Sequence, residues 1–560
     1  MKLKTTIIVS ALVLSQFATA KEPTKTTIKE IETVESGLRS ASYFKNDPLW
    51  KIEDRMQHYG VPGVSVAVIK DFKIHWLKHY GVTDKETGDA VNDDTLFQAG
   101  SISKPVAAYG ALKYVEKGKL SLDKPVNAQL KDWKIPDNEL TKKQPVALKH
   151  LLNHSAGLTV HGFLGYAVGE AVPTVKQVLN GEKPANSAAV IVDMQPETQY
   201  RYSGGGYTVM QKLMTDVAQK DYTTLMQELV LGPIGMKNST YEQPLPPAKL
   251  VNAAAGYLPN KSPVLGKRHT YPEMAAAGLW TTAEDLAKFA IDVQLAIKSD
   301  KSKILSQKMA QKMLTPFVSD NAGLGFFINK KKQELYFGHG GWDEGFSADL
   351  IAHKTRGYGV VVMTNSNHPA FIEELKNSVA HTYQWHDYLE ADLVTMPITK
   401  AEQKRIIGKY KFSPDMVFNI YSKDDRVYMQ YLNGEPMEVF QIGENQFIRR
   451  EYSSKFRFEL NKETGTTDLM FGVNNDRVNI RNRMTSKEHV PLELLMKGDL
   501  TQAEEAYKVL IINNPGFSGE AERNILVYAD ELDKSNSPIK AVNAMKMSVR
   551  LFPESINSIG

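Results

Sequence analysis

The 560-residue chain contains no cysteine. That excludes a disulfide framework and a lipid-modified cysteine behind a leader, so the compartment imposes no redox chemistry. Long apolar runs are lacking too. A membrane-spanning helix needs ~20 consecutive apolar residues, and the longest candidate, Thr6 to Leu14, is too short, so no membrane span is expected. No basic stripe interleaved with aromatics is present, and the formal charge falls from +4 to +2 once Lys2 and Lys4 are set aside. Nucleic acid is therefore not an expected partner. Three chemical signatures are missing as well. His150 and His154 stand four apart, but His150 is not followed by the glutamate of a His-Glu-x-x-His zinc helix. Ser155 has Gly157 after it but Asn153 before it, so it is not the nucleophile of a Gly-x-Ser-x-Gly elbow. Gly204-Gly205-Gly206 lacks both the lysine and the preceding strand of a phosphate loop. No metal and no cofactor are expected.

What is present begins with a leader. Lys2 and Lys4 precede the apolar stretch, and Ala18-Thr19-Ala20 forms a small-residue cleavage site, so residues 1–20 read as a secretory signal peptide. The mature chain would start at Lys21 and reside in the periplasm or be secreted.

The remaining length exceeds one ordinary core, since single domains run to ~100–250 residues. Val64–Ile69 and Lys73–Leu77 predict an antiparallel strand pair. Helical periodicity then dominates: Val106–Glu116, Leu148–Leu152, Tyr207–Val217 and Thr282–Ala296, the last opened by Thr281/Thr282 with Glu284/Asp285 as a capping box. Strands are expected again at Gly323–Ile328, Leu335–Phe337, Ser347–His353 and Gly359–Thr364. Strands at both ends and helices between predict an α+β domain over residues 21–392, with one antiparallel sheet built from both termini and helices packed on it. Short alternating runs at Val417–Tyr421, Arg426–Tyr431, Glu438–Ile442, Lys455–Leu460 and Asp468–Val473 predict a small all-β, barrel-like module over residues 400–485. Over residues 490–560, Ala503, Ala506 and Pro515 recur as Ala541, Ala544 and Pro553 in helical context, a tetratricopeptide-like pattern with one insertion near Asp533–Pro538. This segment is the place for a protein partner.

The strongest chemical signal is Phe97-Gln98-Ala99-Gly100-Ser101-Ile102-Ser103-Lys104-Pro105 ahead of a helical run. A lysine three positions after a serine puts amine and hydroxyl on one helical face, one turn apart, with the positive end of the helix beneath the serine. Free lysine, with a pKa of ~10.4, is a poor base, so burial or nearby positive charge must lower it before it can accept a proton. Pro105 is tolerated in a first helical turn.

Three further segments follow in a recognisable order, and with them the chain resembles the penicillin-binding protein and serine β-lactamase superfamily: class C β-lactamases, D-Ala carboxypeptidases, D-aminopeptidases and related esterases. Val61 to Val68 and Asp94 to Lys104 look like that family's first strand and nucleophile helix. Leu151-Leu152-Asn153-His154-Ser155-Ala156-Gly157-Leu158 is similar to its Leu-Leu-x-His-Thr-Ser-Gly-Leu segment. Pro196 to Gly204 resembles its Pro-Gly-Thr…Tyr-x-Asn motif at Tyr202, with Gly204 in place of the asparagine. His339-Gly340-Gly341 resembles its Lys-Thr-Gly or His-x-Gly element. The resemblance covers about residues 45–390.

It implies that Ser101 is the nucleophile and that Lys104 or Tyr202 takes its proton, with Tyr202 passing one to the leaving group. It further implies that His339 tunes the cluster and binds a substrate anion, and that Gly340 and Gly341 leave a strand edge bare for substrate. The backbone N–H groups of Trp342 and Ser101 would form the oxyanion hole. Gly204, unable to supply the family's side-chain amide, points to an ester, D-amino-acid peptide or amide as small-molecule or peptide substrate rather than a β-lactam. The rival expectations are a true β-lactamase and a catalytically silent binding module.

Overall fold

The computed structural model describes residues 24–40, 42–299, 301–431, 434–450, 454–472, 479–514, 517–534 and 537–553. The leader and Pro515 lie outside them. The chain divides into two compact units, one of residues 1–38 and 50–389, the other of residues 39–49 and 390–560.

In the first unit, strands β1 (Gly63–Lys70), β2 (Lys73–Gly81), β3 (Phe327–Lys331), β4 (Glu334–Asp343), β5 (Phe346–His353) and β6 (Gly359–Thr364) form one antiparallel sheet in the order β2-β1-β6-β5-β4-β3. The apolar run of β1 is explained by cover on both faces. Val64, Val66 and Val68 turn to one cluster, and Ala67 and Ile69 to the other. Val360 and Val362 of β6 join the first cluster, Val361 and Met363 the second. The first face is covered by helices α1 (Lys25–Glu35) and Ile52–Tyr59 with Pro369–Thr382, the second by the helical middle of the chain.

Within that middle run α2 (Ser103–Glu116), α3 (Gly204–Ala218) and α4 (Ala283–Ser299). Every residue of α2 from Ser103 to Leu112 is buried, as expected for a helix with apolar residues all round. Thr282 caps α4 by accepting from the Asp285 N–H at 3.2 Å. The reciprocal half of the expected box does not form. Asp285 instead accepts from the Asn238 amide and the Ser239 hydroxyl, both at 2.9 Å, tying α4 to a distant loop.

One predicted strand is displaced. Gly323–Phe326 is not extended, because Gly325 takes φ +107° against Ala108 and the Leu324 N–H bonds to the Met313 carbonyl; β3 starts only at Phe327. This matters at the site, since β3 pairs only with Glu334–Gly338 of β4. From His339 to Asp343, β4 is paired on its β5 side alone among the described residues.

In the second unit, helix Lys400–Ile406 precedes nine short antiparallel strands, counted among the described residues between Gly408 and Met484, which form a near-closed, barrel-like sheet around Tyr410, Phe418, Met429, Phe447 and Phe458. Among the described residues four helices follow: Pro491–Lys497, Leu500–Asn513, Ser518–Lys534 and Pro538–Leu551. Buried Asp415 accepts from Tyr507 at 3.2 Å and from the Asn524 amide at 3.1 Å, which fixes two of these helices against the sheet.

Candidate active site

The turn before α2 is built for a close approach. Gly100 has φ +52°, which glycine adopts without strain, and a Cβ there would lie 2.4 Å from the Trp342 nitrogen. A Cβ on Gly341 would lie 2.0 Å from the Ala99 carbonyl oxygen. Glycine at both positions therefore lets the open half of β4 lie directly on the 3₁₀ turn Gly100–Ile102. The Trp342 amide is thereby brought beside Ser101, whose own N–H opens the helical stretch and has no intrahelical acceptor.

In this turn Ser101 and Lys104 stand three apart, the spacing at which 3₁₀ side chains eclipse. Lys104 Nζ lies 2.9 Å from Ser101 Oγ and donates to the Ala276 carbonyl at 2.8 Å. Tyr202 directs its hydroxyl to the same Oγ at 2.9 Å. Lys104 is 2% exposed. Burial without a paired anion disfavours the ammonium, and the lysine is pushed down to about 7, with Asp343 pulling in the opposite direction. Burial moves Tyr202 the other way, well above the usual phenol range, so its proton stays on at neutral pH. Both groups are within hydrogen-bond reach of the one Oγ, an amine on one side and a phenol on the other.

Tyr202 is held from behind by the segment around His154. The two rings stack with centroids 4.2 Å apart and planes 27° from parallel. His154 Nδ1 accepts from the Ser203 N–H at 3.1 Å, and its carbonyl accepts from the Arg201 N–H at 2.8 Å. Ser203 then caps α3, its Oγ accepting from the Gly206 N–H at 2.9 Å. Further back, buried His150 reaches Glu197 at 2.9 Å. The Leu151–Leu158 segment is thus a brace for the Tyr202 loop. Burial and the charge of Lys104 hold His154 well below the ordinary imidazole range, so it is neutral.

His339 faces the cluster from β4, its ring 4.8 Å from Phe327 and 6.2 Å from Tyr202. Its Nδ1 lies 2.6 Å from the Gly340 carbonyl oxygen and must be the donor, which leaves Nε2 as a lone-pair acceptor, buried and without a hydrogen-bond partner among the described residues. Burial and Lys104 push this histidine down to about 3. The neutral ring presents Nε2 towards the cluster as a hydrogen-bond acceptor. Gly340 is open above, its nearest neighbour to a notional Cβ being Asp349 Oδ2 at 3.8 Å. The Trp342 side chain, 47% exposed, stands at the rim.

Gly204 departs furthest from expectation. It is buried at the start of α3, its N–H donates to the His161 carbonyl at 2.9 Å, and a Cβ would meet Phe163 Cε2 at 3.0 Å and that carbonyl at 3.1 Å. A side chain at this position needs Phe163 and the 161–163 loop to give by a few tenths of an ångström, and the His161 ring lies 4.8 Å from that of Tyr202.

Two carboxyl groups escaped sequence reasoning. Asp343, the last residue of β4, is buried behind the turn. The Gly100 N–H and Lys104 draw its carboxyl down, yet burial holds it well above the usual carboxylate range. Glu273, just before the turn that presents the Ala276 carbonyl, is fully buried with neither carboxyl oxygen hydrogen-bonded among the described residues, and burial pushes it up to about 8. The signal for Asp343 was its place on the same strand face as His339 and Gly341; for Glu273 there was none.

A family model described as Beta-lactamase matches residues 51–383. Among curated proteins, Protein flp of Staphylococcus aureus strain MW2 is 24% identical over 346 residues, covering 59% of this chain and 65% of that protein. The chain thus spans less than two thirds of the length of this relative. The octameric penicillin-binding protein homologue from Pyrococcus abyssi superposes with a TM-score of 0.52 at 23% identity, covering 77% of this chain and 98% of that one. The D-amino acid amidase from Ochrobactrum anthropi SV3, complexed with L-phenylalanine amide, gives 0.51 at 20% identity, covering 64% and 99%. Both share the fold described above.

Proposed function

The chain belongs to the β-lactamase family, and on that premise we propose that it is an exported serine hydrolase in which Ser101 attacks a carbonyl, an acyl-enzyme forms, and water or another acceptor releases it. The observation that carries this reading is the double contact on Ser101 Oγ: Lys104 Nζ and Tyr202 Oη, each at 2.9 Å. Lys104, pushed down to about 7 and so neutral above that pH, takes the proton as Oγ bonds to the carbonyl carbon. Tyr202, which keeps its proton, relays one to the departing oxygen or nitrogen as that bond breaks, and the developing oxyanion settles on the Ser101 and Trp342 N–H groups. The unpaired stretch His339–Asp343 takes the substrate backbone as an added strand.

The substrate proposed is an ester, D-amino-acid peptide or related amide, β-lactams being turned over feebly. The crowding at Gly204 supports this, since no side-chain amide is supplied there to hold a β-lactam's acylamino group. Export rests on the leader-like residues 1–20. The helices between Pro491 and Leu551 are read as a tetratricopeptide-like pair with room for a protein partner, a reading supported by burial of Ala503, Ala541 and Ala544 at recurring positions.

The test is a side-by-side panel of nitrocefin, a short p-nitrophenyl ester, a D-Ala-D-Ala peptide and a D-amino-acid amide. The ester or a D-amino-acid substrate should lead in kcat/KM, and Lys104→Ala and Tyr202→Phe should each lower kcat by ~10²-fold or more. Nitrocefin as the best substrate, or variants that change only KM, would refute the proposal.

A further inference from the structure

Beside the catalytic strand lies an open pocket of 320 Å³, floored by Gly338 and Gly340 of β4 and walled by Phe327, Asn329, Asp349 and Lys376. Gly338 pairs with Ile351 and Gly340 with Asp349, so these residues share the sheet face turned away from the helical middle, and the two glycines leave that face bare. The volume falls within the ~300–1,000 Å³ of small-molecule sites. The pocket also reaches the catalytic cluster: Phe327 and His339 border it, and their rings lie 6.3 and 6.2 Å from that of Tyr202. A leaving group that takes its proton from Tyr202 Oη therefore runs past His339. At ~3.3 Å per residue of strand, Gly340 and Gly338 stand ~7 and ~13 Å from Trp342, within reach of a short substrate.

The charges around the pocket are unevenly held. Lys376 Nζ lies 2.8 Å from Glu373 Oε2 and 3.2 Å from Asp349 Oδ2. Lys331, over the Tyr388 ring, adds its charge to Glu373. Glu373 thus has two cations and Asp349 a share of one. Asp349 Oδ2 is also the atom nearest to a notional Cβ on Gly340, at 3.8 Å, so it faces the open edge. Burial pushes this carboxyl up, against the pull of Lys376. An incoming cation would relieve that cost, whereas an incoming carboxylate would meet Asp349 with Lys376 already engaged. The Phe327 ring lines the same pocket, and aromatic faces attract cations.

We propose that this pocket takes the leaving group of the substrate and selects one carrying an ammonium rather than a carboxylate, with Asp349 as the specificity-determining residue. The inference rests on the serine hydrolase reading and adds to it the charge of the leaving group.

The experiment is thiol release from three phenylacetyl thioesters by the full chain. The leaving thiols are 2-(trimethylammonio)ethanethiol, its uncharged isostere 3,3-dimethylbutane-1-thiol and the anion 3-mercaptopropionate, and each kcat/KM is divided by the rate of hydroxide hydrolysis. Wild type should favour the cation over the isostere by about tenfold or more and place the anion last, the order set by attraction between partly buried charges a few ångström apart. Asp349→Asn, of the same shape, should shrink the cation preference to about threefold or less. Asn329→Lys, at a half-buried strand position that leaves the Asp349 and Lys376 pair in place, should turn the preference towards the anion. These ratios are internal to each protein, so a loss of stability does not imitate them. Ser101-dependent turnover without a charge preference, or a cation preference that survives Asp349→Asn, overturns this inference alone. Thioester turnover that persists in Ser101→Ala, or none in wild type, overturns the serine hydrolase reading and this inference with it.

Discussion

The His154 imidazole is stacked on the Tyr202 phenol, 4.2 Å between centroids, while its Nδ1 accepts from the Ser203 N–H next in the chain. One side chain therefore sets both the plane of the tyrosine and the path of the backbone that carries it. His154→Ala removes the stack and leaves a buried N–H unpaired. An aromatic pair is worth ~0.5–1.5 kcal/mol, and the lost acceptor costs ~1–3 kcal/mol. Only the part felt as misplacement of the hydroxyl reaches the chemistry, so kcat should fall by about tenfold with KM nearly unchanged. His154→Phe, which keeps the ring, should recover part of kcat. A loss confined to thermal stability would show that the brace is structural only.

The acid limb of the pH profile follows from Lys104. The working form is the neutral amine, so kcat/KM should decline as pH drops through about 7, where this buried lysine gains its proton. His339, pushed down to about 3, lies too low to be that limb. The groups facing Lys104 and Asp343 are His154, His161, His339, Tyr202, Tyr271, Glu273 and Glu344. Asp343 is itself the carboxyl that favours the charged lysine. Asp343→Asn should therefore move the limb to lower pH, and a limb that stays in place would remove Asp343 from the electrostatics of the site. Because the two groups titrate together, the limb belongs to the pair.

Gly204→Asn tests the packing argument. The added Cβ presses on Phe163 and the His161 carbonyl, and overpacking of this kind costs ~1–3 kcal/mol. The melting temperature should drop with no relative gain for nitrocefin over a p-nitrophenyl ester. Combining it with Phe163→Ala should restore part of the stability. A stable single variant with improved nitrocefin turnover would show that the side chain reaches the cleft after all.

The parts legible in the sequence are those fixed by local geometry. Ser101 and Lys104 meet because they are three residues apart in one turn, and β1 and β6 announce themselves as apolar runs because both faces are covered. Tyr202 and His339 reach the serine only through the tertiary fold, and no periodicity connects them to it; resemblance to a family did. Asp343 was hidden because Asp343-Glu344-Gly345 reads as a hairpin turn between β4 and β5. In the second unit, strands such as Gly408–Lys411 and Asn479–Arg481 are too short to show alternation, so five runs were readable where nine strands form. The crowding of Gly204 depends on where the 161–163 loop settles, which sequence spacing does not encode.

The central claim is that Ser101 is the nucleophile. Its most direct test is intact-mass and peptide-level mass spectrometry after treatment with a fluorophosphonate. One adduct per chain, mapped to Ser101 and absent from Ser101→Ala, is the predicted result. Equal labelling of the variant, or an adduct mapped to another residue, would contradict it.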